Sequence, residues 1–113
     1  METTPSRLQQ LLAFYQDDPT DPFTIYALAT EYRTTEPLRA MEYYQKLLDE
    51  HPEYVGTYYH AGKMLQFLEK PEDAEKVYRK GLGVARKAGQ MHAASEIQQA
   101  LNQLLGLDFE DEE

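Results

Sequence analysis

The sequence predicts an all-α protein, an antiparallel helix-pair solenoid of about six helices, and three observations predict it. Apolar residues return every three or four positions in six separate stretches, and the breaks between them carry Pro, Gly or an Asp/Thr cap. No stretch alternates with period two for long enough to argue a strand. Large and small residues also recur at a fixed distance along the chain, the mark of a repeated unit.

The first helix is expected over Pro5 to Gln16, with Thr4 as cap and Pro5 at the tolerated first position. Leu8, Leu11, Leu12 and Tyr15 form its apolar face, and Asp17-Asp18-Pro19-Thr20 breaks it. The second opens at Asp21-Pro22 and runs to Arg33, burying Ile25, Leu28, Ala29 and Tyr32. The third, Pro37 to Glu50, turns Ala40, Tyr44, Leu47 and Leu48 inward and stops at His51-Pro52. The fourth covers Glu53 to Leu68 with Tyr58, Ala61, Gly62 and Leu65 inward. The fifth, Pro71 to Ala88, uses Ala74, Val77, Tyr78, Gly81 and Leu82. The sixth, Met91 to Leu105, shows Ala94, Ile97, Ala100, Leu101, Leu104 and Leu105, with Gly106 as its stop.

Laying the helices over one another exposes the repeat. Pro19 and Pro52, Leu11 and Tyr44, Phe14 and Leu47, Ile25 and Tyr58, Leu28 and Ala61, and Ala29 and Gly62 are each 33 apart. Ala40 and Ala74, and Tyr44 and Tyr78, are 34 apart, so the second copy carries one extra residue in its turn. One copy reads Ile25-x2-Leu28-Ala29-x2-Tyr32, then Ala40-x3-Tyr44, closing with Pro52. The other reads Tyr58-x2-Ala61-Gly62-x2-Leu65, then Ala74-x3-Tyr78-x2-Gly81.

This pattern resembles the tetratricopeptide repeat, whose 34 residues follow W-x2-L-G-x2-Y, then A-x3-F, then P. Neither copy has the Trp, the first has Ala29 for Gly, and the second lacks the terminal Pro. The resemblance covers about residues 6 to 105. It implies a single domain over 1–107: a half repeat at 6–19, repeat one at 21–54, repeat two at 55–88 and a capping helix at 91–105. Two repeats alone leave apolar faces open at both ends, and the outer helices would cover them. Residues 108–113 form an acidic tail.

A chain of 113 residues supports one core without staples. Cysteine is absent, which removes disulfides and thiol chemistry. Net charge is −9, with ten acids against four bases in residues 1–54 and five against seven in residues 55–107. Such a surface repels phosphate backbones, so nucleic acid is not an expected partner. The N-terminus lacks a basic stretch followed by an apolar run, and no segment is long enough to span a bilayer. The expectation is therefore a soluble cytoplasmic protein without membrane partners. The acidity also fits adaptation to a salt-rich medium, in which case the melting temperature should rise with molar salt, as followed by circular dichroism.

Little supports catalysis, a metal or a cofactor. His51, His60 and His92 share no i, i+4 spacing, His51 reads as a solvated turn residue, and no serine lies in a Gly-x-Ser-x-Gly turn. No glycine loop is built to cradle phosphate. On the fifth helix, Glu72 to Lys76 and Glu75 to Arg79 are self-compensating i, i+4 pairs.

The resemblance instead implies a noncatalytic module that binds a peptide or partner protein in a concave groove lined by the first helix of each pair, as an adaptor or assembly factor. Phe23, Tyr26, Thr30 and Arg33 of the second helix are the groove candidates, with Tyr59, His60, Lys63, Gln66 and Phe67 of the fourth. Glu96, Gln99 and Gln103 of the last helix would add a wall. Tyr26 and Tyr59 are 33 apart, and the repeat's own packing does not require them. They read either as a recognition strip beside the cations Arg33 and Lys63 or as simple cover for a short stack. Members of the tetratricopeptide repeat family that grip a terminal carboxylate use Asn and Lys at fixed groove positions; neither full repeat here has an Asn, so the resemblance does not imply that mode. The rival reading is a homodimer formed through the end helices.

Overall fold

The structure, a computed structural model, describes residues 5–107; Thr4 and the acidic tail lie outside the described residues. Six α-helices and no strand occur among them: α1 (Arg7–Asp17), α2 (Pro22–Tyr32), α3 (Pro37–Glu50), α4 (Gly56–Phe67), α5 (Pro71–Lys87) and α6 (Met91–Leu104). The chain divides into two compact units between Tyr54 and Val55, the position at which the two sequence copies meet.

In the first unit α2 packs against both α1 and α3. The start of α1 differs from expectation. Pro5 precedes the helix and Ser6 is the cap, its Oγ accepting from the Gln9 N–H at 3.1 Å while the Gln9 side chain accepts from the Ser6 N–H at 2.8 Å. That reciprocal box satisfies two donors at once, which Pro5 at the first position could not match. Asp21 caps α2, accepting from both the backbone and the hydroxyl of Thr24. These bonds to its charged form hold the Asp21 carboxyl below the usual range. Ile25, Leu28, Ala29, Tyr32, Ala40, Tyr44 and Leu47 are buried, as their periodicity predicts, whereas Leu48 is only half-buried.

On α1 only Leu11 is fully buried; Leu12 and Phe14 are exposed. Within the unit this helix packs chiefly on α2, with Tyr15 also meeting Tyr43 of α3, so one narrow stripe suffices to seat it. His51 lies in the turn as expected but is only partly solvated. Its Nε2 lies 2.7 Å from the Thr20 carbonyl, joining the turn after α3 to the turn before α2. Because a carbonyl can only accept, Nε2 carries the proton in this bond.

In the second unit α5 packs on α4 and α6, and α6 also reaches α4. α4 begins at Gly56 rather than Glu53, since the Tyr54 N–H bonds the His51 carbonyl at 3.0 Å and holds residues 51–54 in a turn. The α4–α5 contact is a reciprocal exchange of rings and glycines. A Cβ on Gly62 would fall within the Tyr78 ring, 2.6 Å from Cδ1, and one on Gly81 would lie 2.8 Å from Tyr58 Cγ. Position 58 faces 81 while 62 faces 78, the opposite order that an antiparallel pair demands. Both rings are buried, and the Tyr78 hydroxyl donates to Gln66 Oε1 at 2.6 Å.

All three helices of this unit end in the same closure. A residue with positive φ follows each helix, namely Glu69 (63°), Gly89 (74°) and Gly106 (74°). The next N–H returns to a carbonyl five residues earlier: Lys70 to Leu65 at 2.8 Å, Gln90 to Ala85 at 2.9 Å and Leu107 to Asn102 at 2.7 Å. Gly106 is therefore the stop its position suggests. Glu69 occupies the turn in which the second copy carries its extra residue, and it is the only non-glycine among the described residues with positive φ.

Candidate functional site

The predicted groove residues fall into two local arrangements, one in each unit. In the first, Tyr26 is half-buried and meets Tyr44 edge-on at 6.4 Å and Tyr54 at 6.0 Å. Burial, with the Tyr54 hydroxyl nearby, raises the Tyr26 pKa, and the Arg33 guanidinium partly opposes the rise. The Thr30 hydroxyl donates to the Tyr26 carbonyl at 3.0 Å, while Arg33 closes α2 as an exposed C-cap. Tyr26 thus contributes to packing as well as to surface. Tyr54, the third ring, was not among the expected residues; its place in a turn rather than a helix removed the periodic signal. Phe23 stands apart, 72% exposed on the first turn of α2.

About 100° around α3 from Tyr44, Tyr43 stacks on Tyr32 at 5.9 Å and meets Tyr15 edge-on at 5.6 Å. Arg39 covers Tyr32 and Lys46 covers Tyr15, at 5.3 and 5.9 Å from the ring centres. This cluster joins all three helices and is structural.

In the second unit Tyr59 is half-buried, with Lys63 Nζ 5.7 Å above its ring and His60 edge-on at 5.3 Å. Tyr59 opens onto a cleft of about 190 Å³ lined by Glu96, Gln99, Ala100 and Gln103 of α6. The three polar residues named from sequence for the last helix are thus brought to the Tyr59 ring. Gln66 is committed to Tyr78, and Phe67 is exposed at the end of α4. His92 is on the surface, 3.5 Å from Glu96. Among the described residues no group of three His, Asp or Glu side chains could hold a metal ion, and no helix is long and apolar enough to cross a membrane.

A crystal structure of a tetratricopeptide repeat domain protein from Salinibacter ruber is 42% identical to this chain, with a TM-score of 0.73 over 78% of this chain and 100% of that one. The chain belongs to the tetratricopeptide repeat family. A solution structure of a tetratricopeptide repeat domain protein from the same organism agrees, at 40% identity and a TM-score of 0.75, covering 85% of this chain and 98% of that one. A protein from Bordetella parapertussis shares the fold at 21% identity, with a TM-score of 0.78 over 96% of this chain and 95% of that one. No protein-family model and no curated protein matches the sequence. Within the tetratricopeptide repeat, Tyr44 and Tyr78 fill the large-residue position of the second helix and Ala29 and Gly62 the small position of the first, all four buried.

Proposed function

We propose that this tetratricopeptide repeat chain is a noncatalytic protein-binding module, an adaptor or assembly factor, that takes an extended peptide segment against the α4–α6 cleft of its second unit. Family membership supports a protein-interaction role in general terms. The observation that carries the finer reading is Tyr59, a half-buried ring covered by Lys63 and facing Glu96, Gln99 and Gln103. The ring offers an apolar face, and two side-chain amides offer both donors and acceptors to a peptide backbone. Phe23, Tyr26, Thr30 and Arg33 on α2 supply the corresponding candidate surface of the first unit.

Selection of peptides from a displayed random library tests this. At least one class of the peptides selected on the wild-type chain should lose about tenfold or more in affinity with Tyr59→Ala or Gln99→Lys and be unaffected by Leu38→Ala. Equal binding by all variants would refute the assignment. The rival homodimer draws on the exposed Leu12, Phe14 and Leu105 of the outer helices. Sedimentation as a monomer at high concentration would remove it.

A further inference from the structure

The first unit contains a second cleft, of about 530 Å³, between α1 and the start of α2. Leu11 and Thr24 line it as buried residues, and Phe14 and Phe23 stand beside it from opposite helices, 57% and 72% exposed. Asp17, Asp18 and Asp21 line the turn end. The one cation among the lining residues, Arg7, is engaged by Glu31 at 2.9 Å. The cleft therefore joins two bare aromatic rings to an uncompensated set of carboxylates.

Repeat packing does not account for either ring. The position 33 after Phe23 is Gly56, so the slot needs no side chain, and the position 33 after Phe14 is Leu47, which is fully buried where Phe14 is not. Two of the three carboxylates are held in place: Asp18 Oδ1 accepts from the backbone and hydroxyl of Thr20 at 3.1 and 2.7 Å, and Asp21 Oδ2 accepts from Thr24. Those bonds engage one oxygen each of Asp18 and Asp21.

We propose that this α1–α2 cleft is a protein-docking site for a cationic-apolar segment, an Arg or Lys flanked by aliphatic residues, with the aliphatic groups between Phe14 and Phe23 and the cation against Asp17, Asp18 and Asp21. Arg suits the site best, because its flat guanidinium stacks on an aromatic ring while its edge donates to carboxylates. Acidic and phosphorylated segments are repelled. The site is separate from the Tyr59 cleft and does not depend on the reading given to it.

Fluorescence polarisation of a dye-labelled peptide of alternating Arg and Leu, titrated with the full chain, tests the assignment, with Glu–Leu and Arg–Ser peptides as comparisons. Only the Arg–Leu peptide should bind. Affinity should fall about tenfold or more with Phe14→Ala plus Phe23→Ala, and likewise with Asp17→Asn plus Asp18→Asn, while Tyr59→Ala leaves it unchanged. The Phe positions are exposed, so those variants should melt with the wild type; if they do not, the Asp pair decides. Equal binding of the Arg–Ser peptide would show charge attraction alone and overturn the proposal, as would unaltered binding by the Asp variants. Self-association of the unliganded chain that Phe23→Ala abolishes would make a second copy the occupant, and would overturn it too.

Discussion

Gly62 and Glu69 are single positions where backbone and packing leave little choice. Gly62→Ala places a methyl group inside the Tyr78 ring, which is buried and tied to Gln66. The substitution should cost about 1 to 3 kcal/mol, read as a lower midpoint in urea. Glu69 shows the reverse case, an L-residue held at φ 63° where the closure of α4 requires the left-handed conformation. Glu69→Gly should stabilise the chain by about 1 kcal/mol, measured as a raised melting temperature. The first of these was legible in the sequence, because Gly62 aligns with Ala29 in a repeat that demands small residues there. The second was legible only as one extra residue in a turn, since nothing in the residue type announces a positive φ.

At the level of elements, α3 has the boundaries its pattern predicts, Pro37 and Glu50, because proline opens it and His51-Pro52 closes it. The start of α1 was misjudged, although the signal existed: Ser6 is followed three residues later by Gln9, the spacing of a capping box. Thr4-Pro5 offered a second plausible start, and only the reciprocal bonds decide between them. Ser6→Ala should cost about 1 kcal/mol and raise amide hydrogen exchange in α1 before α2, since α1 packs within its unit chiefly on α2 whereas α2 is held by both neighbours. The candidate site divides along the same line. Tyr59 and the α6 residues facing it could be found from helical spacing. The packing of Tyr26 against Tyr54, and the bond of His51 to Thr20, could not, because both join a turn to a distant element and carry no period.

For the whole molecule, buried tyrosine sets the response to alkali. Burial raises the pKa of Tyr26, Tyr43, Tyr44 and Tyr78 above the ordinary 10.0, furthest for Tyr78. Below pH 10 these hydroxyls keep their protons in both states. Above it the unfolded chain releases them first, so stability is lost as pH rises toward the folded-state values. Urea midpoints should hold to about pH 9.5 and fall from there to roughly pH 11.5, and Tyr78→Phe should flatten the decline. A flat profile in the wild-type chain would contradict the burial of these hydroxyls.

The crossed exchange between α4 and α5 has a mechanical consequence. Each helix carries a ring about one turn from a socket, Tyr58 beside Gly62 and Tyr78 beside Gly81, and each ring occupies the other helix's socket. Sliding one helix along the other would drive both rings against neighbouring backbone at the same moment. Such an arrangement is a two-pin latch, and it holds the axial register of the pair against a pull along either helix.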